Sequence, residues 1–136
     1  MTAEVFRPAG PSFKLALGER GEMLAWGYLV RAGFKILEKN FRTRLGEIDV
    51  IAEKNKKIYF IEVKTRSDAD KGLPQESVTA AKQRRIAHLA AQYLQKKKQQ
   101  DRSAAFGVVS ILWQPPAAPE IRWIENAFML EDGFFA

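Results

Sequence analysis

Residues 46–66, GEIDVIAEKNKKIYFIEVKTR, constrain the fold more tightly than any other part of the chain. Apolar residues recur with strand periodicity on both sides of Lys54-Asn55-Lys56. This predicts two strands, about 45–53 and 57–66, joined as a hairpin. Alternate side chains of a strand share a face. On the second strand Ile58, Phe60, Glu62, Lys64 and Arg66 lie together, opposite Tyr59, Ile61, Val63 and Thr65. On the first, Glu47, Asp49 and Ile51 oppose Ile48, Val50 and Ala52. A tight turn centred on Asn55-Lys56 then sets Asp49 directly across from Glu62, and Glu47 across from Lys64.

Directly opposed strand residues hold their Cβ atoms roughly 4.5–5.5 Å apart. Two carboxylates at about 5 Å repel by roughly 3 kcal/mol at an effective dielectric near 20. A divalent cation reverses that sign, since converging carboxylates, water and phosphate oxygens suit magnesium. Lys64, one strand step beyond Glu62, would stand beside a metal-bound water and a phosphate. The alternative is structural: strand charges discourage edge-to-edge aggregation, and Glu47–Lys64 would be an ordinary cross-strand ion pair.

The remaining sequence supplies the elements that would cover this hairpin. A helix is expected from a Ser12 cap to about Arg31, with Leu15, Leu17, Met23, Leu24, Tyr28 and Leu29 as its apolar stripe. Gly18, Gly21 and Gly27 weaken it, which fits a late start or a face approached closely by another backbone. FKILEKNF, 34–41, starts a strand. A second helix, about 77–98, would bury Val78, Ala81, Ile86, Leu89, Ala90, Tyr93 and Leu94. Strands at 104–113 and 120–128 follow, separated by Pro115, Pro116 and Pro119. The order α-β-β-β-α-β-β predicts an α/β fold with a mixed, roughly five-stranded sheet flanked by helices. Residues 1–11 read as a flexible arm, 12–130 as a single domain and 131–136, with Phe134 and Phe135, as a tail.

Composition narrows the chemistry. At 136 residues the chain can bury a substantial core. Nothing approaches the ~20 apolar residues of a membrane span, and the first residues lack a secretory pattern. Cysteine is absent and His88 is the one histidine, so thiolate and multi-histidine metal sites within one chain are excluded. Absence of cysteine also fits a cytoplasmic location. Oxygen ligands remain, which favour magnesium, manganese or calcium. The net charge of +6 favours a polyanionic partner such as nucleic acid.

Asp49 followed by Glu62-x-Lys64 on a strand resembles the D-(D/E)-x-K core of the restriction-endonuclease-like superfamily. More closely, GERGEMLAWGYLVRAGFKILEKN (18–40), RTRLGEIDVIAE (42–53), FIEVKTR (60–66) and PQESVTAAKQRRIAHLAAQYL (74–94) resemble the UPF0102 (YraN-like) family of predicted endonucleases, related to archaeal Holliday-junction resolvases. The resemblance implies a restriction-endonuclease-like core and a Mg2+- or Mn2+-dependent endonuclease acting on DNA, with branched or recombination intermediates as substrates. It implies that Asp49 and Glu62 are metal ligands, that Lys64 is the catalytic lysine, and that Glu22 on the first helix completes the metal site directly or through water. Glu47 takes a supporting ion-pair role. A homodimer follows from kinship with resolvases, which cut two strands symmetrically. A nucleic-acid-binding module that keeps the fold without cleaving is the alternative.

Two departures stand out. The superfamily's proline before the aspartate is Ile48, and the Arg-Phe-Asp-Val-Val-like stretch of the family reads Ala105-Phe106-Gly107-Val108-Val109. For phosphate contacts the best candidates are Arg42, Arg44 and Arg66 around the strands, and Lys82 and Arg85 on the second helix. Lys96 to Lys98 reads as a solvated helix end, and the three tryptophans as core residues.

Overall fold

The predicted hairpin lies at the heart of a sheet. A computed structural model describes residues 17–67 and 79–125, so the arm, the Ser12 cap, Ser77, Val78 and the tail lie outside the described residues. Seven elements run in the order α1 (Leu17–Arg31), β1 (Lys35–Thr43), β2 (Gly46–Lys54), β3 (Lys57–Arg66), α2 (Ala80–Lys96), β4 (Ala104–Leu112) and β5 (Glu120–Glu125). The five strands are ordered β1-β2-β3-β4-β5 across the sheet. Pairing is antiparallel except between β3 and β4. Parallel neighbours need a long crossover connection, and α2 lies within it. The chain is therefore an α/β protein with a mixed five-stranded sheet.

Strand alternation divides the core between the two faces. On one, Ile86, Leu89, Ala90, Tyr93 and Leu94 of α2 pack on Phe41, Ile51, Ile58, Phe60 and Phe106. On the other, Leu24, Ala25 and Leu29 of α1 pack on Val50, Tyr59, Ile61, Val109 and Ile111. Ala81, expected in the core, is exposed. It lies in the first turn of α2, ahead of the buried face that begins at Ile86. The tryptophans are core or core-flanking: Trp113 is buried, while Trp26 and Trp123 are partly buried against the α1-side cluster.

Two glycines allow close packing. A Cβ on Gly21 would lie 1.7 Å from Thr65 Oγ1, so glycine there lets the first turns of α1 rest on the end of β3. A Cβ on Gly107 would lie 2.2 Å from the Trp123 ring, which covers the Gly107 backbone. Any side chain at this position would therefore require Trp123 to move. Among the described residues, no helix is long and apolar enough to cross a membrane.

Candidate functional site

The β2–β3 ladder follows the predicted register from Lys54–Lys57 back to Val50–Ile61, and its paired positions end there. Asp49 and Glu62 thus lie one step beyond the last paired residues. In place of continued main-chain pairing, the Val63 N–H donates to Asp49 Oδ2 at 2.8 Å. The regular alternation expected around Asp49 is interrupted as well. Ile48 joins Ile51 in the α2-side cluster, whereas Val50 between them packs on the α1 side. On neighbouring β1, Asn40 lies between Lys39, paired with Val50, and Phe41, paired with Ile48, and has φ 54°. Asparagine tolerates this left-handed conformation better than most side chains. With the alternation broken here, the apolar residues on each side of Asp49 stay buried while its carboxylate reaches the gap between β2 and β3.

The gap is electrostatically crowded. Burial, followed by the charge of Glu62, pushes the Asp49 carboxyl up to about 7 against the opposing effect of the Val63 N–H; Glu22 and Glu47 push it further upward. Glu22, at the start of α1, is also raised, first by burial and then by Glu47 and Glu19, with Arg42 opposing them. The Gly21–Thr65 contact brings this helix end to the sheet. Glu22, Glu47, Asp49 and Glu62 therefore share one region of negative potential.

Lys64 is half-buried, and burial and then Lys82 hold its ammonium below the ordinary lysine range, with Glu62 and Asp49 acting in the other direction. Lys82 reaches this cluster from α2. Its Nζ lies 3.0 Å from Glu62 Oε1, where the two side chains are 30% and 11% exposed respectively. Burial pulls Lys82 down, but Glu62 by charge and hydrogen bond, with Lys64 and Asp49, holds it above the ordinary lysine range. Its place on the helix is set by Thr79, the N-cap, whose hydroxyl accepts from Lys82 N–H at 3.2 Å. The first turn of α2 thus delivers a positive charge to the carboxylate cluster.

The other proposed residues separate into different environments. Glu47 pairs with Arg42 of β1, Nε to Oε2 at 2.9 Å, rather than with Lys64. Register explains this: Arg42 and Glu47 are direct partners across β1 and β2, whereas β2 and β3 are no longer paired at that level. Arg44 is exposed in the β1–β2 turn. Arg66 ends β3, and its carbonyl accepts from Trp113 N–H at 2.8 Å. Lys82 and Arg85 do not act as an equivalent pair, because Arg85 lays its stem against Gly46, where a Cβ would lie 2.9 Å from Arg85 Cδ. His88 is exposed on α2.

The contact that sequence reasoning missed is the ion pair of Lys82 with Glu62; the sequence pointed to Lys82 only as a phosphate contact alongside Arg85. The approach of Lys82 to Glu62 depends on how α2 crosses the sheet, which no local spacing in the sequence records. Among the described residues, no three acidic, histidine or cysteine side chains form a ready-made metal-holding group.

A mixed α/β sheet with two carboxylates and a lysine at the open end of its central hairpin thus defines the chain. A sequence profile of the Uncharacterised protein family UPF0102 matches residues 21–111. A UPF0102 protein of Geotalea daltonii is 45% identical over 124 residues, covering 91% of this chain and 98% of the relative. One from Geobacter metallireducens is 49% identical over 115 residues, covering 85% and 93%. Another from Rhodococcus opacus is 42% identical over 114 residues, covering 84% and 97%. The chain belongs to the UPF0102 family.

Proposed function

We propose that this protein is a metal-dependent endonuclease with a restriction-endonuclease-like core, hydrolysing phosphodiesters in DNA. The observation carrying the reading is Asp49, whose partly buried carboxylate accepts from Val63 N–H beside Glu62 and is pushed up to about 7 chiefly by desolvation and the charge of Glu62. Strained carboxylate pairs of this kind concentrate at functional sites.

The donor chemistry fits Mg2+ or Mn2+. The candidates are carboxylate oxygens, with Asp49 and Glu62 as direct ligands and Glu22 as a supporting acid reached through water. A small protein donor set suits magnesium, which retains several waters and takes substrate phosphate oxygens. Such an ion would supply an activated water and charge neutralisation for phosphodiester hydrolysis. Lys64 would orient the attacking water and stabilise charge developing on the phosphate. Arg42, Arg44, Arg66, Lys82 and Arg85 would contact the nucleic-acid backbone, adding a salt-sensitive term to binding. A homodimer would present two such sites to a branched substrate.

The second reading is a non-cleaving nucleic-acid-binding module, favoured by the Lys82–Glu62 pair, which neutralises one carboxylate within the protein itself. Branched, flapped, single-stranded and duplex DNA incubated with Mg2+ or Mn2+ distinguish the two. Cleavage abolished by Glu62→Ala and by Lys64→Ala, with binding largely retained, supports the nuclease. Cleavage unchanged by both substitutions refutes the site. Salt-sensitive binding without cleavage of any substrate supports the module.

A further inference from the structure

Lys82 occupies an unusual position between two functions. Its ammonium is 3.0 Å from Glu62 Oε1, and the ammonium of Lys64, two residues along β3 from Glu62, is close enough for the two lysines to influence each other's charge. Two ammonium groups are both donors, with no acceptor to offer each other. An anionic oxygen between them would satisfy both. The lysine side chain is long and carries a point charge that can swing between partners, whereas Glu62 is fixed on a central strand. Its backbone stays anchored during such a swing, because the Thr79 cap holds the Lys82 N–H.

A proton-bearing lysine and a divalent cation compete for the same carboxylate charge. Building on the metal-dependent reading, we propose that Lys82 is a latch shared between Glu62 and the substrate phosphate. In the free protein it closes Glu62. When a phosphodiester oxygen enters between Lys64 and Lys82, Lys82 turns to the phosphate and leaves Glu62 to the cation. Phosphodiester and cation therefore bind cooperatively, and by linkage each strengthens the other to the same degree. The free protein is a poor cation binder, which restricts assembly of the site to moments when substrate is present. Lys82 is thus a positioning residue that couples two ligands, beyond a general backbone contact.

The test is Mn2+ binding by the full chain, followed through the electron paramagnetic resonance signal of free Mn2+. The probes are Mn2+ alone and Mn2+ with a short phosphorothioate duplex, whose own Mn2+ uptake is measured separately. Without nucleic acid, Lys82→Met should bind Mn2+ about tenfold more tightly than the unaltered protein, the order expected from removing one nearby positive charge in a partly exposed site. Lys82→Arg, which keeps the charge, should remain within about twofold of the unaltered protein on the same grounds. Adding the duplex should tighten Mn2+ binding to the unaltered protein by about tenfold and barely change the Met variant, as linkage requires. Thermal melting of Lys82→Met and Lys82→Arg checks that both fold. Equal Mn2+ affinity in the Met variant and unaltered protein, or equal tightening of both by the duplex, overturns the latch alone. Absence of Mn2+ binding in all variants overturns the latch together with the metal-dependent reading.

Discussion

The two ends of the β2–β3 hairpin are built from the same strands but solve opposite problems. Near the turn, Ile51–Phe60 and Ala52–Tyr59 are paired and buried, and Asn55 and Lys56 adopt φ of 53° and 66° to close the loop. At the other end the paired ladder has stopped, and Asp49, Glu62 and Lys64 occupy the space it leaves. The turn end gains stability from apolar burial and complete main-chain pairing. The open end gives up pairing and holds partly desolvated carboxylates close together beside lysines. That contrast teaches where stability is concentrated and where it has been sacrificed.

The comparison can be broken most severely at the turn end. Phe60, 1% exposed and central to the α2-side cluster, should cost about 3–5 kcal/mol when changed to Ala, measured by denaturant unfolding. A loss below about 1 kcal/mol would show that this end does not anchor the domain. Asp49→Asn should have the opposite sign. Because the folded carboxyl is raised from 3.8 to about 7, the folded state holds more protons than the unfolded one between these values. Stability should therefore fall as pH rises through this window, with the full penalty present above it. Asp49→Asn should stabilise the protein at pH ~8 by about 2–4 kcal/mol, with the gain vanishing near pH ~4. Unchanged thermal stability at the higher pH would contradict the crowded-carboxylate description.

Smaller changes sharpen the distinction between elements that shape the site and those that decorate it. Thr79→Ala removes the α2 cap and should cost about 1 kcal/mol in chemical unfolding. Loosening the turn that carries Lys82 should also disturb Asp49 titration, readable by carboxyl-carbon NMR. Arg42→Ala should change stability by less than about 1 kcal/mol, since this pair is largely solvent-screened and the Arg42 side chain is 73% exposed. A larger loss would place Arg42 within the structural framework.

Much of this architecture was legible because it follows from local periodicity. The alternation of Ile58 to Arg66 foretold β3, and the spacing of Ile86, Leu89, Ala90, Tyr93 and Leu94 foretold the buried face of α2. The close approach suspected from the α1 glycines is found at Gly21, over Thr65. Reading Asp49 as one member of an unbroken alternation was less complete. Local pattern does not register where a ladder ends, and neighbouring Ile48 follows core packing instead of strand phase. Glu47 similarly pairs with Arg42 because β1, not β3, is its paired neighbour at that level.

The sequence by itself determined the order of elements, the hairpin register near its turn and the concentration of unusual charges at its far end. These follow from apolar periodicity and turn chemistry, which act over a few residues. Tertiary structure decided which charges meet. Lys82 faces Glu62 because capped α2 crosses the sheet there, and Glu22 approaches Asp49 because Gly21 lets α1 rest on Thr65. Contacts between distant segments depend on packing geometry, and electrostatic strain depends on the burial that packing creates.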